Sequence, residues 1–553
     1  MHDGQEKGWR YWFFMGILVT SFGLVLVRAL DLMVIKHGYY EQLARDNRVV
    51  EKKIPAARGE IVDRKGRVVA ESIYEYYKTD VNGAKEYVAK GDYQGDMFEG
   101  MGQSYTLKRQ YPYGESMALV SGYVGRVNSD DIQAAKCGTE LSPNELIGRG
   151  GVESSQNCWL QGSDGKRLIE VDAKGNYVRE LGRAEPDTGK TLELSIDAYW
   201  QDKIYKMLGG KRAVVIISQP QTGKVLAMVS SPSYDPNAFS YNQDNTLINQ
   251  YLSDNVNLPL LNRAVAGQYH PGSVFKIVVS AGGLEENVIT RTSTYEDTGI
   301  IKIGPYSYSN WLWTKRGITD GMVDIVTAIR RSNDIFFYKL GGDMGVDRIK
   351  TWARKFGYGS KTGVELDNEL PGIVPDEQWK IDNTGEKWFL GDTYHYAIGQ
   401  GALNVTPLQV NQMTNVIAND GTLCSMSILK NSPEHCHSLG IKPETIAIIK
   451  QGMEGACKPG GTAWPLFNFK TMLACKTGTA EVGDGSKDTH AWLTAFAPAD
   501  NPQISITVLV ERGGEGSDVA APIVGDILKA WFNEPDTLVP RYNSDGKVTN
   551  IGD

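Results

Sequence analysis

With 553 residues, 41% of them hydrophobic and 22% charged, the chain is long enough for two or three domains, and its ordinary globular make-up excludes large disordered tracts. A formal net charge of −8, without any basic patch interleaved with aromatics, excludes nucleic acid as a partner, because phosphate binding needs a basic face to displace counterions.

From Tyr11 to Val27 there is no charged residue; Lys7 and Arg10 precede the run, and Arg28 and Asp31 follow it. A spanning helix needs about 17–25 apolar residues, and this run extends to Ile35 if the Arg28 stem snorkels toward the interface. Trp9, Tyr11 and Trp12 supply one aromatic belt. A cleaved signal peptide is the competing reading, but no small-residue cleavage site follows soon after the run, so residues 11–35 are read as a retained anchor. Lys7 and Arg10 make residues 1–10 a cytoplasmic tail and place everything after residue 36 outside the cytoplasm, on the outer side of the inner membrane.

Residues 36–48 read as a short helix leading away from the anchor. From Arg58-Gly59-Glu60-Ile61-Val62-Asp63-Arg64-Lys65-Gly66 to about Pro186, short strands and polar turns predominate, so residues 36–190 are expected to form an extended, strand-rich pedestal for docking. Composition changes at Thr191–Asp197, an alternating half-buried strand whose Asp197 can cap the next helix. Ala213–Ser218 and Lys224–Val229 read as a hairpin, Ala491–Phe496 and Ile504–Val510 as a second strand pair, and Phe275–Leu284, Ile325–Leu340 and Thr406–Ile417 as helices. Strands at both ends with helices between them predict an α+β domain over 191–535, with one antiparallel sheet closed by its terminal segments. Residues 536–553 read as a polar tail. Six cysteines suit an oxidising compartment; Cys424 and Cys436, either side of the Asn431-Ser432-Pro433 turn, are the favoured pair, with free buried thiols as the alternative.

The most reactive pattern is Ser273-Val274-Phe275-Lys276, which puts a hydroxyl and an amine on one face of a helical turn. The same spacing recurs at Ser163, Ser427 and Ser544, so the pattern alone decides nothing. Context does: only Ser273 follows Pro271-Gly272 and opens a helical run, where free backbone N–H groups suit an oxyanion and burial favours a neutral lysine base. Two further elements are Arg331-Ser332-Asn333-Asp334 and Ala474-Cys475-Lys476-Thr477-Gly478-Thr479. The second reads as an edge strand able to pair with an extended peptide, whereas Lys361-Thr362-Gly363 reads as a loop.

The order Ser-x-x-Lys, Ser-x-Asp, Lys-Thr-Gly resembles the penicillin-binding proteins and serine β-lactamases. Arg58–Gly66, Gly148–Glu153 and Tyr234-Asp235-Pro236-Asn237 extend the resemblance to class B penicillin-binding proteins over nearly the whole chain. Phe336-Phe337-Tyr338, Asp343-Met344-Gly345 and Ile398-Gly399-Gln400-Gly401 resemble the elongation type, like penicillin-binding protein 2, more than the division type. Asp334 stands where many relatives have asparagine and is taken as a mark of that subtype. No segment between anchor and Arg58 has room for a glycosyltransferase domain, which sets aside the bifunctional class A arrangement.

The resemblance implies a single transmembrane helix, a pedestal and a transpeptidase domain whose antiparallel sheet has helices on both faces. It implies a peptidoglycan D,D-transpeptidase that crosslinks stem peptides and is acylated by β-lactams. Lys276 would deprotonate Ser273, the nucleophile; Ser332 would relay a proton to the leaving amine; Asp334 would hold Lys276 or the substrate amide. Lys476, with Thr477, Gly478 and Thr479, would bind the substrate carboxylate and set the site's electrostatics. No metal or organic cofactor is implied. A glycosyltransferase of the SEDS family and other elongation-complex proteins are the implied partners, contacting residues 11–190. A division-type transpeptidase, a membrane-bound D,D-carboxypeptidase or β-lactamase, and a β-lactam sensor are the alternatives.

Overall fold

The positions of Gly, Pro and apolar runs divide the chain into segments that do not assemble in sequence order. The computed structural model describes residues 6–46, 48–79, 85–90, 103–134, 137, 145–172, 177–240, 244–534, 541–542 and 548–549. These belong to two compact units: one takes residues 1–57, 74–107 and 162–189, and the other 58–73, 108–161 and 190–553.

In the first unit, helix α1 (Glu6–Leu30) runs on through a wider turn to Ile35. Its stretch Gly8–Ile35, which contains an 18-residue window of mean hydropathy 2.1, is the one helix among the described residues long and apolar enough to cross a membrane. Arg28, expected to snorkel, pairs with Asp31 at 2.7 Å, so the charge that interrupts the apolar run is locally compensated. Helix α2 (His37–Asp46) follows, where the sequence predicts a short helix. Strands β1 (Val49–Ile54), β2 (Gly165–Val171) and β3 (Tyr177–Ala184) make an antiparallel sheet in that order. Strand β2 alternates buried and exposed residues, the signature of a sheet with one covered face.

In the second unit, the residues that carry the class B resemblance near the start of the chain do structural work. Glu153 is fully buried between two guanidiniums, with Arg58 Nε at 2.5 Å and Arg109 Nε at 2.7 Å. Burial alone would push its carboxyl up; the two cations overcome this and hold it below the usual range. Asn237 grips the backbone of Tyr111 in both directions, accepting from its N–H (2.9 Å) and donating to its carbonyl (3.0 Å).

The sheet of this unit contains β4 (Ala213–Ser218), β5 (Val225–Ser231), β6 (Ala474–Glu481), β7 (Thr489–Ala497) and β8 (Ile504–Val510) in the order β5-β4-β8-β7-β6, all antiparallel. The hairpin and the second strand pair predicted from sequence are both present, and they meet: Ala213 lies opposite Val510. Every residue of β4, β5 and β8 is buried, because both faces are covered, and this is why the runs are continuously apolar.

Around the sheet lie α3 (Ala198–Leu208), capped by Asp197, α4 (Lys276–Glu285), α5 (Trp311–Arg316), α6 (Ile325–Arg331), α7 (Asp334–Lys355), α8 (Pro407–Ala418) and α9 (Ala521–Phe532). Val215 and Ile217 face a core with Ile204, Leu208, Val524 and Ile527 of α3 and α9; Val214 and Ile216 face the opposite core with residues of α4, α7 and α8.

Two expectations change. Ile325–Leu340, read as one helix, is broken into α6 and α7. Ser332 has φ 56°, a left-handed conformation that ends α6, and Asn333 restarts the helix by accepting from Phe336 N at 2.9 Å. The alternative of free thiols is replaced by three disulfides, Cys137–Cys158, Cys424–Cys436 and Cys457–Cys475. Cys424 and Cys436 are cross-strand neighbours, as the intervening turn suggests. The proposed tail, residues 536–553, lies largely outside the described residues.

Candidate active site

Pro271 fixes the approach to a tight turn, Gly272–Phe275, that carries Ser273 into α4. Gly272 has φ +56°, and a Cβ there would sit 2.8 Å from the Thr479 carbonyl oxygen; only glycine lets the turn lie against β6. Val274 and Phe275 are buried while Ser273 is partly exposed, so the hydroxyl is reachable and its backbone is clamped. The other matches to the pattern dissolve. Lys166 pairs with Glu51, Lys430 pairs with Glu193, Ser427 donates to Glu365, and Ser544 lies outside the described residues.

Lys276 is fully buried. Its Nζ donates to Asp334 Oδ1 (2.6 Å), the Ser332 carbonyl (2.9 Å) and Ser332 Oγ (3.3 Å), and Ser273 Oγ is not among these acceptors. Lys476, also fully buried, donates to Ser332 Oγ (2.8 Å) and the Thr477 carbonyl (2.9 Å). The break at Ser332 thus places one hydroxyl between two amines. Asp334 uses its second oxygen, Oδ2, to accept from the Trp311 N–H at 2.9 Å, which fixes the start of α5.

Burial depresses both lysines, because a dry environment disfavours the ammonium. The Asp334 carboxylate opposes this at Lys276. Lys476 falls further, with burial reinforced by the charge of Lys276.

Strand β6 is an edge of the sheet, as expected, with Lys476 opposite Thr494. Gly478 lies where a Cβ would come within 3.0 Å of Trp492 Cβ and 3.2 Å of the Pro271 carbonyl, so the strand packs directly on the turn that holds Ser273. Thr477 Oγ1 shares a hydrogen bond with Thr462 (2.7 Å), and Thr479 Oγ1 donates to Glu515 (3.0 Å). Ser273, Lys276, Ser332, Asp334 and Lys476 to Thr479 therefore converge in the second unit, whereas Lys361-Thr362-Gly363 lies in a loop held by Glu369.

Sequence reasoning missed the support beneath Asp334. Asp297, nearly fully buried, accepts from Asn310 Nδ2 (2.8 Å), Asn333 Nδ2 (2.9 Å) and the N–H groups of Gly299 and Asp320 (both 2.9 Å). Asn310 in turn accepts from the Asp334 N–H at 3.2 Å. The only local signal was turn chemistry, Asp297-Thr298-Gly299, since side chains distant in sequence complete the network.

A buried lysine pair bridged by a serine, beside a partly exposed serine and an edge strand, is the arrangement expected of a penicillin-binding serine transpeptidase. Residues 213–529 match the family model of the penicillin binding protein transpeptidase domain, and residues 74–194 that of the penicillin-binding protein dimerisation domain. The peptidoglycan D,D-transpeptidase MrdA of Acinetobacter baumannii is 30% identical over 595 residues, covering 95% of this chain and 87% of that one. The penicillin-binding protein (PBP2) of Helicobacter pylori, solved with MreC, superposes with a TM-score of 0.77 at 28% identity, covering 88% of this chain and 99% of that one. A structure described as coordinating polymerization and crosslinking in a peptidoglycan synthase complex also gives 0.77 at 28% identity, over 97% of this chain and 100% of that one. The chain belongs to the elongation-type class B penicillin-binding proteins, the peptidoglycan D,D-transpeptidases.

Proposed function

We propose that Ser273 attacks the penultimate D-alanine carbonyl of a stem peptide and that a neighbouring strand's amine resolves the acyl-enzyme, crosslinking peptidoglycan. The observation that carries this reading is the chain Asp334–Lys276–Ser332–Lys476 beside a partly exposed Ser273. Three acceptors around Lys276 match the three N–H bonds of an ammonium, and two around Lys476 match those of a neutral amine. The resting proton is thus assigned to Lys276. Once that ammonium proton has been lost to solvent, neutral Lys276 is able to take the proton of Ser273.

Attack on the carbonyl then forms the ester bond and breaks the amide bond, and the terminal D-alanine leaves with a proton delivered through Ser332. The N–H groups of Ser273 and Thr479 serve as oxyanion donors, each typically worth about 2.7–4 kcal/mol. The peptide lies along β6, its carboxylate held by Thr477 and Thr479, with Lys476 buried behind them and Gly478 giving clearance. When the acceptor amine attacks the ester, its proton returns along the same path and Ser273 is regenerated.

Gly8–Ile35 serves as the membrane anchor, with the catalytic unit outside the cytoplasm; Lys7, Arg10 and the three disulfides support that orientation. Residues 36–190 form the non-catalytic docking region and 191–535 the catalytic domain. Membrane partners, including a SEDS glycosyltransferase, dock on residues 11–190, a reading supported by relatives solved with MreC and in a synthase complex. A fluorescent penicillin tests the chemistry. Rapid, long-lived labelling that Ser273→Ala abolishes is expected; fast release of label would mean a lactamase, and no labelling at all would sink the reading. Deleting residues 1–35, which lie outside the unit that holds the site, should leave labelling intact and weaken partner co-purification.

A further inference from the structure

Glu515 follows β8 and immediately precedes a helical turn, Gly516–Ala520. Its Oε2 accepts from Thr479 Oγ1 at 3.0 Å, and its Oε1 meets Lys315 Nζ of α5 at 2.9 Å. A hydroxyl donor and an ammonium converging on one carboxylate are the chemistry of a carboxylate subsite, and here the chain's own side chain fills it. The backbone beneath is fixed: a Cβ on Gly516 would come within 2.3 Å of the carbonyl oxygens of Gly478 and Trp492, so the segment lies flat on the sheet. The side chain is not fixed in this way. Glu515 and Lys315 are 38% and 44% exposed, so the carboxylate can swing into water by a rotamer change without any shift of the main chain.

We propose that Glu515 is a specificity-determining residue: a resident anion on Thr479 that an incoming ligand carboxylate must displace, after which Lys315 and Thr479 receive that carboxylate. The inference rests on the assignment of Thr479 to the ligand carboxylate given above. It also goes beyond it, because neither Glu515 nor Lys315 belongs to the three sequence motifs. The consequence is a threshold. A ligand whose carboxylate reaches Thr479 in good geometry wins the exchange, and a poorly seated anion is repelled by Glu515.

The test is the second-order rate of acylation of the full-length, detergent-solubilised protein by a fluorescent penicillin, with melting temperatures confirming that each variant is folded. Glu515→Gln removes the charge and keeps the shape; it should acylate about fivefold faster, the size of one exposed ion pair at the upper end of its range. In a Thr479→Val background that gain should vanish, and Lys315→Met should slow acylation when combined with Glu515→Gln. If Thr479→Val alone leaves the rate unchanged, the assignment of Thr479 fails and takes the inference with it. If Thr479→Val slows acylation but Glu515→Gln does not speed it, or speeds it equally in both backgrounds, the inference alone is overturned. A Lys315→Met change without effect on the Glu515→Gln protein overturns the part assigned to Lys315.

Discussion

Replacing Asp334 by asparagine tests the coupling between Lys276 and its surroundings. The carboxylate accepts from Lys276 at 2.6 Å through one oxygen and from the Trp311 N–H at 2.9 Å through the other. An amide has one oxygen, so its NH2 must face one of these donors. A buried donor left unsatisfied costs about 1–3 kcal/mol, and a buried ion pair stripped of one partner about 3–5 kcal/mol. Because Lys276 can shed its proton, the lower part of that second range applies, and a loss of about 3 kcal/mol is expected in denaturant titrations. The kinetic effect has a definite sign. Burial lowers the Lys276 pKa and Asp334 raises it, so Asp334→Asn lets it fall further. Neutral Lys276 is then present at lower pH, and the rising limb of the acylation rate moves toward acid, even as poorer positioning lowers the plateau. Stopped-flow labelling with a fluorescent penicillin from about pH 5 to pH 10 reads this limb. A limb that stays in place or moves toward alkali would refute the assignment of Lys276 as base with Asp334 as its counter-ion.

Lys476→Met should raise the melting temperature at neutral pH. The lysine's folded pKa lies well below 10.5, so the native state resists a proton that the unfolded chain accepts, and the advantage should fade as pH approaches 10.5; an advantage that grows with pH refutes the argument. Glu153→Gln should destabilise by about 3–5 kcal/mol at neutral pH, with the gap narrowing as acid below pH 4.5 protonates Glu153, because a depressed carboxyl contributes stability only above that range. A gap independent of pH would count against the buried charge. Gly478→Ala should slow penicillin labelling at least tenfold, since its Cβ meets the turn that holds Ser273, and unchanged labelling would show that β6 can give way. Alkylation of the denatured but unreduced protein should modify none of the six cysteines by mass spectrometry, and any single modification would remove a bridge.

Much of this was legible in the residues because local signals and burial agreed. Pro271-Gly272 marks a turn that the structure uses to seat Ser273, and the uninterrupted runs at Ala213 and Ile504 mark strands covered on both faces. Lys476–Thr479 reads as an edge strand and is one. What was hidden depends on distant partners. Apolar periodicity continues through Ser332, so it points to a single helix; the break is stabilised by Asn333 reaching Asp297 and Asp320, which no local pattern reports. The path of the chain between the two units was equally invisible, because strand-like composition looks alike in residues 108–161 and 162–189. Glu515 lies more than thirty residues beyond Thr479 and carries no motif; only the packing of Gly516 on β6 brings it to the cleft.

The meeting of β4 with β8 has a consequence for how the protein is made. Ser218 and Ser505 touch across the sheet although 287 residues separate them. The strand beside Ser273 is laid on β7, which is itself laid on β8, so this edge has no foundation until β8 has been synthesised. Contacts this remote in sequence form late and fold slowly. A product truncated before Ile504 lacks the strand on which this edge is built, and it should not be labelled by a fluorescent penicillin. Synthesis of β8 is the step that completes the support of this edge.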